Sequence, residues 1–180
     1  MCGIVGYIGE EQAAPLLLQG LEKLEYRGYD SSGVAVYTGE KLEVAKAKGR
    51  LKILSDMLDE GKSLRGTIGI GHTRWATHGA PSDINSHPQV SDSGKFAVVH
   101  NGIIENYHPL KEMLENKGMQ FRSETDTEVV ANLIEYFYSE GTTFRQAVRK
   151  AVARVEGSYA LGVMCVDTPA LSLASRRTVP

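Results

Sequence analysis

Met1-Cys2-Gly3-Ile4-Val5-Gly6-Tyr7-Ile8-Gly9 opens the chain, and within it Gly3 to Ile8 is a short β-branched run bounded by glycine, the pattern of a strand. The next segment changes period. Leu16, Leu17, Leu21 and Leu24 keep helical spacing from about Gln12 to Glu25, with Pro15 tolerated because it falls in the first turn. Ser32 to Thr38 and Lys41 to Ala47 return to strand character around Gly39-Glu40, as in a hairpin. A helix packed on an antiparallel sheet is therefore written into the first quarter of the sequence.

Continuing outward, Leu51, Leu54 and Leu58 mark a second short helix, and Thr67 to His72 and Lys95 to Asn101 read as strands flanking a polar stretch from Thr73 to Asp92. So long an unpatterned connection in a compact domain implies a working loop or a disordered one. Thr125-Asp126-Thr127-Glu128 has the form of a capping box, with Val129, Val130, Leu133, Ile134 and Phe137 forming one apolar helix face behind it. Thr143 with Gln146 repeats the cap ahead of an apolar stripe that Gly157 ends. Ser158 to Asp167 and Ala170 to Arg176 then read as two strands around Asp167-Thr168-Pro169. The order β, α, β, β, α, β, β, α, α, α, β, β suits an α+β fold in which antiparallel sheet layers are covered by helices.

Composition narrows the function classes. The chain has 180 residues, enough for one core, and its 42% hydrophobic and 23% charged residues belong to folded rather than disordered proteins. With 20 Lys plus Arg against 22 Asp plus Glu, there is no basic excess to bind nucleic acid or an anionic membrane. The longest apolar run, Tyr159 to Val166, is far below the roughly 20 residues of a membrane-spanning helix. No basic leader precedes an apolar segment at the start, so a cytoplasmic protein is expected. Cys2 and Cys165, without a Cys-x-x-Cys motif, read as thiols, and the five histidines show no metal-ligand spacing. Neither metal nor other cofactor is expected. Arg176-Arg177-Thr178-Val179-Pro180 follows a strand signal without a polar fade, as if the chain had been cut there.

Several residues can carry chemistry. Cys2 becomes the N-terminal residue once Met1 is removed, placing a thiol (pKa ~8.5) and an α-amine (pKa ~7.7–8.0) on one residue, nucleophile beside base. Alone, it reads more readily as an inert cysteine at a strand start. His72-Thr-Arg-Trp-Ala-Thr-His-Gly79 combines a guanidinium, the single tryptophan, hydroxyls and glycine after a strand. Arg74 can clamp a carboxylate through two parallel hydrogen bonds, Thr73 and Thr77 can add donors, and Trp75 can exclude water, although a surface arginine and a core tryptophan would leave the same trace. In His100-Asn101-Gly102 an amide and a backbone N–H can meet an oxyanion, or form an ordinary turn. Asp126 can take an ammonium group, or merely complement the helix dipole.

Together these stretches resemble one family, the N-terminal glutaminase domains of glutamine-fructose-6-phosphate aminotransferases. The resemblance rests on five ordered blocks: Met1-Cys-Gly-Ile-Val-Gly6, Leu24-Glu-Tyr-Arg-Gly-Tyr-Asp-Ser-Ser-Gly33, His72 to Gly79, His100-Asn-Gly-Ile-Ile-Glu-Asn106 and Ser123-Glu-Thr-Asp-Thr-Glu-Val129. It implies the αββα sandwich of the N-terminal nucleophile hydrolases, in a domain spanning residues 1–180 and cut short at its C-terminal end. It implies that Cys2 attacks the side-chain amide of L-glutamine, that its α-amine is the base, and that Asn101 and Gly102 hold the oxyanion. Arg74 and Thr77 would take the α-carboxylate and Asp126 with Gly102 the α-ammonium. His78 and Trp75 would belong to a closing loop, with Trp75 gating ammonia passage, and Arg27 would support the chain start. Partners implied are L-glutamine and a sugar isomerase domain, absent from this chain, in a homo-oligomeric full-length enzyme that makes glucosamine 6-phosphate. The phosphoribosylpyrophosphate and asparagine-synthetase types share the cysteine and Asn-Gly logic but match the loops less well. A glutamine-binding module without catalysis is the alternative of another class.

Overall fold

A computed structural model of the protein describes residues 2–176, with side chains through residue 174. Met1, whose removal the nucleophile reading requires, and the tail from Arg177 to Pro180 lie outside the described residues. The elements run β1 Gly3–Ile8, α1 Ala13–Glu22, β2 Ser31–Tyr37, β3 Leu42–Lys48, α2 Leu51–Met57, β4 Ile68–Arg74, β5 Gln89–Val90 and β6 Phe96–Gly102. Three helices follow, α3 Tyr107–Glu115, α4 Asp126–Ser139 and α5 Phe144–Arg154, and then β7 Tyr159–Cys165 and β8 Ala170–Arg176. Every strand pairing is antiparallel, in two sheets ordered β1-β4-β2-β3 and β5-β6-β7-β8.

Strand alternation builds the layers. In β2, Val34 and Val36 face α1 and α2, where they join Leu17, Leu21 and Leu54, while Ala35 between them faces the other sheet. In β6, Phe96 and Val98 meet Leu114, Val130, Leu133 and Val148 of the three later helices, whereas Ala97 and Val99 point inward. The inward set, with Ile70 and Met164, fills the space between the sheets. The result is the expected αββα stack.

Local departures from the sequence reading have physical causes. The first helix ends at Glu22 rather than Glu25, and Glu25–Arg27 forms a separate 3-10 turn. β4 runs on through Thr73 and Arg74, and the two-residue β5 interrupts the polar stretch. Thr143 and Gln146 form the full capping box. At α4 only half of the expected box exists: Thr125 accepts from the Glu128 N–H, but the Glu128 carboxylate passes by the cap residue. It accepts instead from the Arg122 N–H at 2.8 Å and from the Ser123 N–H and hydroxyl at 2.6 and 2.7 Å, three donors against the one a capping box offers.

Candidate active site

Sheet register brings Cys2 to its neighbours. β1 pairs with β4 so that Gly3 lies opposite Thr73 and Ile4 opposite His72, which leaves Cys2 beside the end of β4. The Trp75 N–H donates to Cys2 Sγ at 3.2 Å, and the Trp75 carbonyl accepts from the thiol at 3.5 Å. Gly28 packs against this turn so closely that a Cβ would stand 2.8 Å from the Arg74 carbonyl carbon, and Arg27 beside it lines the same cavity as Cys2. Asp30 fixes the segment further: its N–H donates to the Arg74 carbonyl at 3.1 Å and its carboxylate accepts from the Ala76 N–H at 2.9 Å.

The second sheet supplies Asn101 and Gly102 at the end of β6. Asn101 Nδ2 donates to the Cys2 carbonyl oxygen at 3.1 Å, so the amide reaches across from one sheet to the nucleophile end of the other. Gly102 has φ of 121°, a conformation side chains disfavour, and a Cβ there would stand 2.2 Å from the Ser158 carbonyl oxygen. Asp126, the first residue of α4, is buried, and one of its oxygens accepts from the Ile104 N–H at 2.9 Å.

These residues surround a cavity of about 490 Å³, lined by Cys2, Arg27, Arg74, Trp75, Thr77, Asn101, Gly102 and Asp126. That volume suits a small amino acid with room for water. His78 is not among the residues that line it, but its Nδ1 lies 4.0 Å from Asp126 Oδ2. Arg74 departs from the expected two-pronged clamp: its Nη2 donates to the carbonyls of His78 and Gly79, bracing the loop, while buried Nη1 has no hydrogen-bond partner among the described residues. Arg74 lines the cavity, and a guanidinium there can offer an incoming anion its charge and a hydrogen-bond donor. Trp75 is no core residue; it is 48% exposed at the rim and packs edge-on against Tyr29.

Sequence reasoning did not join three buried histidines, two of which, His87 and His100, line the cavity. His72, His87 and His100 come from β4, the loop and β6; the His72 and His87 rings are tilted to each other at a centroid distance of 4.4 Å, and those of His87 and His100 stack at 6.3 Å. Thr127 Oγ1 links His100 Nδ1 and His87 Nε2, each at 3.0 Å. Burial drives their pKa values down, that of His72 to about 3 and that of His87 well below 6.5, while Asp126 partly opposes the fall at His100. All three are neutral near pH 7. The loop's anchor was also unread: Asn85 Nδ2 donates to Glu124 Oε2 and the Glu124 N–H donates back to Asn85 Oδ1, each at 3.0 Å, tying the loop to the start of α4. Among the described residues, no cluster of three or more potential ligands could hold a metal ion, and no helix is long and apolar enough to cross a membrane.

Comparison with known proteins agrees with this arrangement. The chain is 59% identical over its whole length to the glutamine-fructose-6-phosphate aminotransferase of Caldanaerobacter subterraneus subsp. tengcongensis and 55% identical to that of Clostridium tetani. It spans 29% of the length of each. The solved glutamine phosphoribosylpyrophosphate amidotransferase from B. subtilis superimposes with a TM-score of 0.79 at 30% identity, covering 92% of this chain and 35% of that one. Residues 72–178 match the model of the glutamine amidotransferase domain, more than half of the chain and including Arg74, Asn101 and Asp126. The chain belongs to the glutamine amidotransferase domain family.

Proposed function

We propose that the chain hydrolyses the side-chain amide of L-glutamine to glutamate and ammonia, as the glutaminase domain of a cytoplasmic glutamine-fructose-6-phosphate aminotransferase. The observation that carries this reading is the convergence of Cys2, Arg74, Asn101 and Asp126 on one cavity, from the start of β1 and the end of β4 in one sheet, the end of β6 in the other, and a helix start. Arg74 and Asp126 carry the charges complementary to the carboxylate and ammonium of a free amino acid, an arrangement a peptide substrate would not satisfy.

With Met1 removed, the Cys2 amine takes the thiol proton, and the thiolate adds to the amide carbon of glutamine. The carbonyl oxygen becomes an oxyanion held by Asn101 Nδ2 and the Gly102 N–H. The new ammonium returns its proton to the leaving nitrogen, the C–N bond breaks, ammonia departs, and a γ-glutamyl thioester remains on Cys2. Water then adds to the thioester through a second oxyanion, and glutamate leaves as the thiol is restored. Arg74 and Thr77 hold the α-carboxylate, Asp126 and Gly102 the α-ammonium, His78 and Trp75 close the site, and Arg27 steadies the chain start. In the full-length enzyme, ammonia released beside Trp75 passes to the isomerase domain for glucosamine 6-phosphate synthesis.

Glutamate and ammonia release from L-glutamine, measured with the intact mass of the protein and a Cys2→Ala control, tests the reading. Turnover by the chain lacking Met1 and its loss in the control are expected; turnover persisting in Cys2→Ala overturns the nucleophile assignment.

A further inference from the structure

His72 stands on β4, the strand beside the nucleophile's own, yet its ring crosses the inter-sheet layer to the end of β6. Its Nε2 lies 3.0 Å from the His100 carbonyl oxygen and 2.9 Å from Asn101 Oδ1. A carbonyl oxygen can only accept, so Nε2 must carry the proton. A buried imidazole that is neutral has only one N–H to give, and Nδ1 is bare, without a partner among the described residues. The same logic fixes the asparagine. Its other end faces the Cys2 carbonyl, again an acceptor, at 3.1 Å, so the NH2 must be on that side and the oxygen on the side of His72. Two acceptor-only carbonyls, one at each end of the His72–Asn101 pair, leave a single consistent arrangement of protons.

We infer that His72 is a positioning residue for the proposed glutaminase reaction, its Nε2–H holding Asn101 Oδ1 so that Asn101 Nδ2 is turned toward Cys2 and the oxyanion that forms there. An asparagine amide free to rotate by half a turn would present an oxygen to the oxyanion, replacing attraction with repulsion. The histidine removes that alternative. Because burial keeps its ring neutral, it does so without titrating in the working range and without moving a proton itself.

This rests on the glutaminase reading, so the test carries the Cys2→Ala control beside three substitutions of His72. His72→Leu removes the donor, His72→Asn places an amide too short to reach Asn101, and His72→Gln can present an N–H near the position of Nε2. Removal of an oxyanion-hole donor lowers kcat by roughly 100- to 1,000-fold, and loosening one is expected to lower it by about 10- to 100-fold. The Leu and Asn variants should show that loss, His72→Gln should recover most of it with an unchanged pH profile, and glutamine affinity, measured by calorimetry in the Cys2→Ala background, should stay within about twofold. If the Leu variant does not fold, the comparison of Gln with Asn decides. Equal kcat in those two variants, or affinity falling in step with kcat, overturns the positioning role. Turnover surviving in Cys2→Ala overturns the underlying reading instead. Independently of turnover, 15N shifts of His72 should report a neutral ring protonated at Nε2 from about pH 5 to 8; the Nδ1–H form would overturn the assignment.

Discussion

Arg74 ties its Nη2 to the loop through the carbonyls of His78 and Gly79 and also lines the cavity. A lysine keeps the charge but supplies a compact ammonium that cannot both brace the loop and meet an anion in the cavity. Arg74→Lys should therefore raise KM for glutamine by about 10- to 100-fold, the equivalent of a charged hydrogen bond worth roughly 1.5–3 kcal/mol, with a smaller effect on kcat. Steady-state kinetics at saturating and limiting glutamine check this, and an unchanged KM would remove Arg74 from the binding site. The grouping of Arg74, Thr77 and Asp126 beside one cavity was legible in the sequence. The bracing of the loop by Arg74 was not, because its partners are backbone carbonyls, which carry no sequence signal.

Elements were most legible where a periodic run carried its own terminators. The Thr143–Gln146 box begins α5 where the spacing placed it, and the β2–β3 hairpin turns around Gly39, where φ is 105°. β5 was invisible because two residues, Gln89 and Val90, cannot show a period. The three histidines were read singly because what unites them is a meeting of β4, a loop and β6, elements whose sequence positions say nothing of mutual distance. Glu128 was misread for a related reason: a capping box is local, and residues 122 and 123 outcompete it by folding beneath the helix start. The α5 cap lies away from the cavity, so its loss isolates helix energetics from chemistry. Thr143→Ala should cost about 1 kcal/mol of stability. Urea unfolding should show the lower midpoint with KM for glutamine unaltered, and a parallel rise in KM would mean that α5 and the site are coupled.

At the scale of the whole molecule, the buried histidines make stability depend on acid. Their pKa values are depressed in the folded state, so between the unfolded value near ~6.5 and the folded value, about 3 for His72, the unfolded chain binds more protons. Their contribution is complete above pH ~6.5 and is lost as pH falls through that window. His72 should remove up to about 2 kcal/mol between pH ~6.5 and ~5, before most carboxylates protonate, and His87 and His100 act in the same direction. Denaturant titrations at the two pH values check this, and equal unfolding free energies would show that the cluster is hydrated or already charged. The helix-sheet-sheet-helix layering also has an optical consequence. The protein's single indole, that of Trp75, is kept out of the interior and is half-exposed, on the residue whose backbone N–H holds the Cys2 sulfur and which lines the cavity. Tryptophan emission from this molecule therefore arises from one place, and a spectrum recorded on the entire protein is a local reading of polarity at the threshold of its cavity.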